Sequence, residues 1–273
     1  MRVLRLYSHS NKQDMTVGYF SSTNSGSSLV NGNMDSICCT SAGDGSDTES
    51  GYHIILSSRY GSEPERGYFL SVNMGEALFR IDERDKDRMM LSVAAKGFVS
   101  VSDRCSFLRP LKTGILTVSD KGSRGEREDT SGPALEDKAK RLGAEILHKS
   151  IIPDDKDGIE EILISWSEVS DLDMILVTGG TGLSKRDVTP EALDSIADKQ
   201  VPGLGEYMRI RTSEFTERSI LSRGKAIVRS ETLIIAFPGS IKGATQCFDA
   251  IAPVIRHGVE IIRGWTMECG HSH

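Results

Sequence analysis

No run in this 273-residue chain stays apolar for the roughly 20 residues that a membrane-spanning helix needs. The opening stretch, Met1-Arg-Val-Leu-Arg-Leu-Tyr-Ser-His, turns polar before a secretory apolar core forms, so a cytoplasmic protein is expected. Excess positive charge is missing too: 33 Lys and Arg face 39 Asp and Glu, a formal net charge of −6. Nucleic acid and membrane surfaces both select a basic face, so neither is an expected partner, although one basic cleft fits that balance. The five cysteines, at positions 38, 39, 105, 247 and 269, form no C-x-x-C pair and no even framework. That excludes a zinc ribbon or a disulfide scaffold and predicts reduced thiols. The tail Cys269-Gly-His271-Ser-His273 holds metal-binding residue types, but at a chain end it reads as a frayed terminus. Neither G-x-x-x-x-G-K-[ST] nor G-x-G-x-x-G occurs, so P-loop and dehydrogenase chemistry lack their signatures.

What is present is ordinary for a globular protein: 38% hydrophobic and 26% charged residues, enough for one large or two ordinary domains. Composition shifts near residue 110. Residues 21–51 are mostly Ser, Thr, Asn, Gly and Asp, too polar to offset their ordering entropy, so loop or disorder is expected there. Short strand-like runs follow at 53–56, 68–72, 77–81 and 98–101. Residues 1–110 thus form a poorly defined N-terminal extension, partly disordered, β-rich at most, and carrying no recognisable chemistry.

Residues 111–273 alternate regularly. Apolar runs at 114–118, 145–152, 174–177, 225–228 and 232–237 read as strands. Amphipathic patterns at 131–142, 158–169, 191–197, 205–219 and 249–263 read as helices. The alternation predicts an α/β fold, a three-layer, mostly parallel sheet flanked by helices. Ligands in such sheets gather at the carboxyl ends of the strands.

Four loops leave that edge. The first carries Ser119 and Asp120, then Asp129 and Ser131; the second carries Asp154 and Asp155 after Pro153. The third runs from its strand straight into Gly179, Gly180, Thr181 and Gly182, then Ser184, Lys185, Arg186 and Asp187. Thr189 is placed to cap the next helix, with Pro190 at its first position. The fourth is Pro238, Gly239 and Ser240. Glycine turns bring bare N–H groups to an anion, and Lys185 and Arg186 add cations for phosphate oxygens. Asp154 and Asp187, from separate loops, suit carboxylates sharing one Mg²⁺. Asp120 and Asp129 are candidates to accept donors from a polar heterocycle. Two alternatives stay open: Asp154 is a metal ligand or a helix cap, and Asp129 and Ser131 bind ligand or cap the helix at Pro133. His148, His257, Trp166 and Met208 read as packing or surface positions.

An ordered set of motifs resembles the molybdopterin adenylyltransferase family. It comprises Thr117-Val-Ser-Asp120, Gly132-Pro-Ala-Leu135, Ile152-Pro-Asp154, Thr178-Gly-Gly-Thr-Gly182, Arg186-Asp-Val-Thr-Pro190, Val201-Pro-Gly203, Ile220-Leu-Ser-Arg223 and Phe237-Pro-Gly239, over about residues 112–265. The resemblance implies molybdenum cofactor biosynthesis: Mg²⁺-dependent transfer of AMP from ATP to the terminal phosphate of molybdopterin. It implies Asp154 and Asp187 as catalytic carboxylates and metal ligands, and pterin and phosphate contacts from Thr117–Asp120, Gly179–Gly182 and Pro238–Ser240. It also implies a homotrimer and contact with the enzyme that inserts molybdenum. A related branch binds molybdopterin as a non-catalytic carrier, which remains the alternative.

Overall fold

Chain contacts fall into two units, Met1–Pro110 with Lys140–Gly143, and Leu111–Ala139 with Ala144–His273. The computed structural model describes residues 105–265 without a break, together with 65–72, 76–84 and 88–94. It also describes the strands 5–8, 16–17, 27–29, 32–34, 37–41 and 52–56. The expected strand at 98–101 and the tail at 269–273 lie outside the described residues. Among the described residues no helix is long and apolar enough to cross a membrane.

The first unit is a β-structure. Its eight-stranded sheet runs in the order 105–108, 69–72, 77–84, 88–93, 37–41, 52–56, 5–8, 16–17. Every pairing is antiparallel except that of Ile37–Ser41 with Tyr52–Leu56. Leu70, Phe79 and Ile81 are fully buried in it. Strands Ser27–Leu29, Gly32–Met34 and Ile37–Ser41 fall inside the polar stretch expected to be loop or disorder. Ladder hydrogen bonds come from the backbone, so polar side chains do not forbid them.

In the second unit we number β1 (Leu111–Val118), α1 (Ser131–Arg141), β2 (Ala144–Ile152), α2 (Lys156–Ile164) and β3 (Met174–Thr178). Then come α3 (Thr189–Ile196), β4 (Lys199–Gln200), α4 (Pro202–Ser213), β5 (Ala226–Arg229), β6 (Thr232–Phe237) and α5 (Ile241–Ile262). The sheet order is β2-β1-β3-β6-β5-β4. Every residue of β3 and β6 is buried, the pattern of strands covered by helices on both faces. β2, β1, β3 and β6 are parallel, whereas β5 runs antiparallel to β6 and β4 antiparallel to β5. Only Ser230 and Glu231 join β5 to β6, and so short a link makes a hairpin rather than a crossover.

Helix α5 begins at Ile241, well before the expected 249. The Ser240 hydroxyl accepts from Gly243 N at 3.2 Å and caps it there. Its buried stripe (Ala244, Cys247, Phe248, Ile251, Ile255, Val259) continues the same face throughout. The helix expected over 205–219 instead ends at Ser213 and is followed by a separate 3₁₀ turn, Glu217–Leu221, capped by Thr216. Strand register levels the functional edge: Thr117 lies opposite Thr178, Thr178 opposite Phe237, and Val118 opposite Ile152. The four polar loops therefore leave one rim.

Candidate active site

The loop after β3 turns sharply because Gly179 and Gly180 adopt φ of +103° and +62°. A Cβ on Gly179 would sit 2.1 Å from the Val118 carbonyl oxygen, and one on Gly180 would meet Thr189 Oγ1 at 2.3 Å. Only glycine fits either place. Thr189 is not the helix cap: it is the first residue of α3, Val188 precedes it without a side-chain cap, and its hydroxyl donates to Gly179 O at 2.9 Å. That bond fastens the glycine turn to α3. The Thr178 hydroxyl donates to Pro238 O at 2.9 Å, tying the turn after β6 to the same place.

Arg223 completes the frame. Its Nε donates to Gly182 O at 2.8 Å, its Nη2 to Asp187 O at 2.6 Å, and its Nη1 pairs with Glu191. Its backbone N–H donates to Thr181 O at 3.0 Å. The glycine loop is thereby held from both sides, and Ser184 N donates to Asp187 Oδ2 at 2.9 Å.

Across the rim, two acids exchange hydrogen bonds. Asp120 N donates to Asp154 Oδ2 at 3.0 Å, and Asp154 N donates to Asp120 Oδ1 at 3.1 Å. The Asp120 carboxylate receives Arg186 in a fork, Nη2 to Oδ1 at 2.7 Å and Nε to Oδ2 at 3.1 Å. That pairing holds the Asp120 carboxyl below the ordinary aspartate range. Asp154 goes the other way: burial chiefly raises its pKa, and the charges of Asp120 and Asp187 add to the rise. The like charge of Asp187 acting on Asp154 places both acids in one electrostatic neighbourhood.

The two open capping alternatives resolve differently. Asp155, not Asp154, caps α2, accepting from Gly158 N at 2.9 Å. Asp129 does cap α1, taking Ser131 N at 3.1 Å and Gly132 N at 2.9 Å on Oδ1. Its Oδ2 takes the Thr117 hydroxyl at 2.7 Å. Asp129 thus caps α1 and holds Thr117, and Asp120 is bridged to Arg186, so both carboxylates have structural partners in this arrangement.

A cleft of about 320 Å³ collects most of the expected positions. Thr117, Ser119, Asp129 and Ser131 line it from the first loop, and Asp154 from the second. Gly179, Gly180 and Asp187 line it from the third, and Gly239 and Ser240 from the fourth. Ser119 also caps the helical turn Asp120–Ser123, accepting from Gly122 N. Asp120, Thr181, Gly182, Ser184, Arg186 and Pro238 are not on its wall. Thr181 is buried, Gly182 faces Arg223, Ser184 braces Asp187, and Asp120 with Arg186 forms the bridge at the rim. Arg127, Glu128 and Thr130 line the cleft without having been singled out. Their signal in the sequence was the charged stretch between Asp120 and Ser131, whose individual roles no local pattern reveals.

Asp154 Oδ1 and Asp187 Oδ1 accept no hydrogen bond among the described residues, so each acid keeps a hard oxygen open. No group of three or more His, Cys, Asp and Glu among those residues is arranged to enclose a metal. Two carboxylates completed by phosphate oxygens and water are the donor set that suits Mg²⁺, so the residues present fit that ion.

Residues 114–257 match the family described as "Probable molybdopterin binding domain". The chain belongs to this family. The molybdopterin adenylyltransferase of Helicobacter pylori (strain J99) is 36% identical over 163 residues, which are 59% of this chain and 93% of that protein. Molybdenum cofactor biosynthesis protein B of Escherichia coli K12 is 39% identical over 143 residues, 52% of this chain and 83% of the relative. The crystal structure of the molybdopterin biosynthesis enzyme MoaB from Thermus thermophilus is 44% identical, with a TM-score of 0.55. It covers 56% of this chain and 97% of its own.

Proposed function

We propose that the second unit, residues 111–273, transfers AMP from ATP to the terminal phosphate of molybdopterin, with residues 1–110 as an extension of unassigned role. The carrying observation is that Asp154 and Asp187, 33 positions apart, open onto one cleft built of glycine turns. A pure carrier has no need of two free carboxylate oxygens there. The molybdopterin phosphate oxygen attacks the α-phosphorus of ATP, forming a new P–O bond. The bond from that phosphorus to the β-bridging oxygen breaks, and pyrophosphate leaves with the electron pair. Backbone N–H groups of the glycine turn and the cations Arg127 and Arg186 meet phosphate charge, and the frame around Arg223 holds the reacting groups in place. Asp154 and Asp187 would hold Mg²⁺, which supplies charge neutralisation on the triphosphate.

The same reading makes the enzyme cytoplasmic and a homotrimer that meets the molybdenum insertion enzyme. Exposed Tyr207, Ile210, Phe215, Ile220 and Leu221, close together in sequence, support an associating face. The test is pyrophosphate release from ATP with molybdopterin by the wild type and Asp187→Asn. Loss of turnover by about 100-fold or more in the variant, with molybdopterin binding kept, is expected. Full turnover by the variant would rule out the role given to Asp187, and a wild type that binds pterin without releasing pyrophosphate would be a carrier.

A further inference from the structure

The motif Ile220-Leu-Ser-Arg223 puts no side chain on the cleft wall, yet Arg223 holds the glycine loop at three carbonyls. Its backbone N–H takes up Thr181 O, and one planar guanidinium spans the other two, Nε donating to Gly182 O and Nη2 to Asp187 O. Residues five apart in the chain are therefore held at a separation that a rigid fork dictates. Nη1 pairs with Glu191 in the first turn of α3, so the fork cannot swing off the loop without breaking that pair. Two residues on, Lys225 O accepts from Ala236 N at 2.8 Å, which ties this arm to β6.

The loop so held is packed against both acids of the cleft. A Cβ on Gly180 would stand 3.1 Å from Asp154 Oδ1, and one on Gly182 would stand 2.9 Å from Asp187 Oδ2. Ser184 N donates to that Oδ2, which turns the other oxygen of Asp187 outward. The short backbone from Gly180 to Gly182 thus measures the gap between the two carboxylates, and slack at Gly182 or Asp187 changes it. Two carboxylates in one neighbourhood also repel each other, so the loop needs a brace against opening. The guanidinium supplies it from behind, outside the cleft.

We propose that Arg223 is a positioning residue that holds Asp187 at the separation from Asp154 that one small divalent cation requires, and that it thereby selects Mg²⁺ over Ca²⁺. The assignment rests on the reading of Asp154 and Asp187 as a shared cation site. Mg²⁺ accepts little departure from its preferred geometry, whereas Ca²⁺ tolerates flexible arrangements. A braced pair of carboxylates favours the first ion, and a slack pair loses that preference.

Calorimetric titration of the full chain with a non-hydrolysable ATP analogue, in Mg²⁺ and in Ca²⁺, tests it without turnover. The wild type is expected to bind the analogue more tightly in Mg²⁺ than in Ca²⁺. Arg223→Lys keeps the charge and loses the fork, and is expected to lower the Mg²⁺-supported affinity by about 10- to 100-fold and the Ca²⁺-supported affinity by less than about threefold. Glu191→Gln removes only an exposed ion pair and is expected to move the same ratio in the same direction by about two- to threefold. An unchanged Mg²⁺-to-Ca²⁺ ratio in Arg223→Lys, with both affinities lowered alike or neither, overturns the proposal. Should Arg223→Lys fail to fold, an unchanged ratio in Glu191→Gln overturns it. A wild type whose ion preference is lost in Arg223→Lys, but which releases no pyrophosphate from ATP with molybdopterin, keeps the role of Arg223 and sinks the transferase reading instead.

Discussion

The two edges of the second unit's sheet carry ion pairs of opposite character. At the rim, Arg186 and Asp120 meet with side chains 65% and 28% exposed. At the other end, where β3 begins, Arg263 Nε stands 2.6 Å from Asp173 Oδ1 with exposures of 9% and 2%. Asp173 also accepts from Lys112 N at 2.7 Å, and Arg263 reaches on to Asp171 and Glu231. A water-facing pair contributes little to stability and can exchange partners when a phosphate arrives. A buried pair left half-broken strands a charge in the interior. One edge locks the fold, and the other is left adjustable for ligands.

Four substitutions separate the edges. Asp173→Ala should have the largest effect on folding, about 1–3 kcal/mol in denaturant unfolding, because Lys112 N loses its acceptor while Arg263 keeps Asp171 and Glu231, and the folded fraction keeps its AMP affinity. An Asp173→Ala chain with unchanged stability would erase the contrast. Asp154→Asn should do the reverse, lowering AMP transfer by roughly 100- to 1,000-fold without loss of stability. The sign follows from the raised Asp154 pKa. The unfolded chain ionises this group at lower pH than the folded one, so its contribution to stability falls as pH rises through that window. At neutral pH the ionised Asp154 opposes folding, and the asparagine variant should melt no lower than the wild type in a thermal scan. A lower melting temperature at neutral pH would make Asp154 a structural residue. Last, Arg186→Ala and Asp120→Ala should each leave stability nearly unchanged, because the pair faces water. They should nonetheless differ in steady-state kinetics, with the ATP KM rising in Arg186→Ala through loss of a phosphate contact. Equal ATP KM values for Arg186→Ala and the wild type would make the rim bridge ornamental.

Much of the second unit was legible because buried parallel strands are written as unbroken apolar runs. β3 and β6 differ from their expected ranges by a residue or none. Once those strands were in place, the topological rule carried the loops of Asp154, Gly179 and Ser240 to one rim. Neighbouring acids were harder. Asp154 and Asp155 are equivalent as letters, and only the fold shows that the second takes the cap and leaves the first for the cleft. Thr189 looked like a cap because it stands just before Pro190, but its hydroxyl goes to the Gly179 carbonyl, ten residues back. The small cavity between α4 and α5, about 180 Å³, has no local signature, since α4, the 3₁₀ turn and α5 meet there only through tertiary packing. The antiparallel edge, β5 with β4, was hidden because strand patterns state periodicity and not direction. The first unit was the least legible, its strands being short and polar in composition.

The central claim is that the rim of this sheet makes a phosphoanhydride bond between a nucleotide and a pterin. Its most direct test follows the α-phosphate: ATP labelled there is incubated with molybdopterin, Mg²⁺ and the full chain, and both products are quantified. The account expects label on the pterin in equal amount to the pyrophosphate released, with both falling together in Asp154→Asn. Pterin bound to the protein while the label stays on ATP would contradict it.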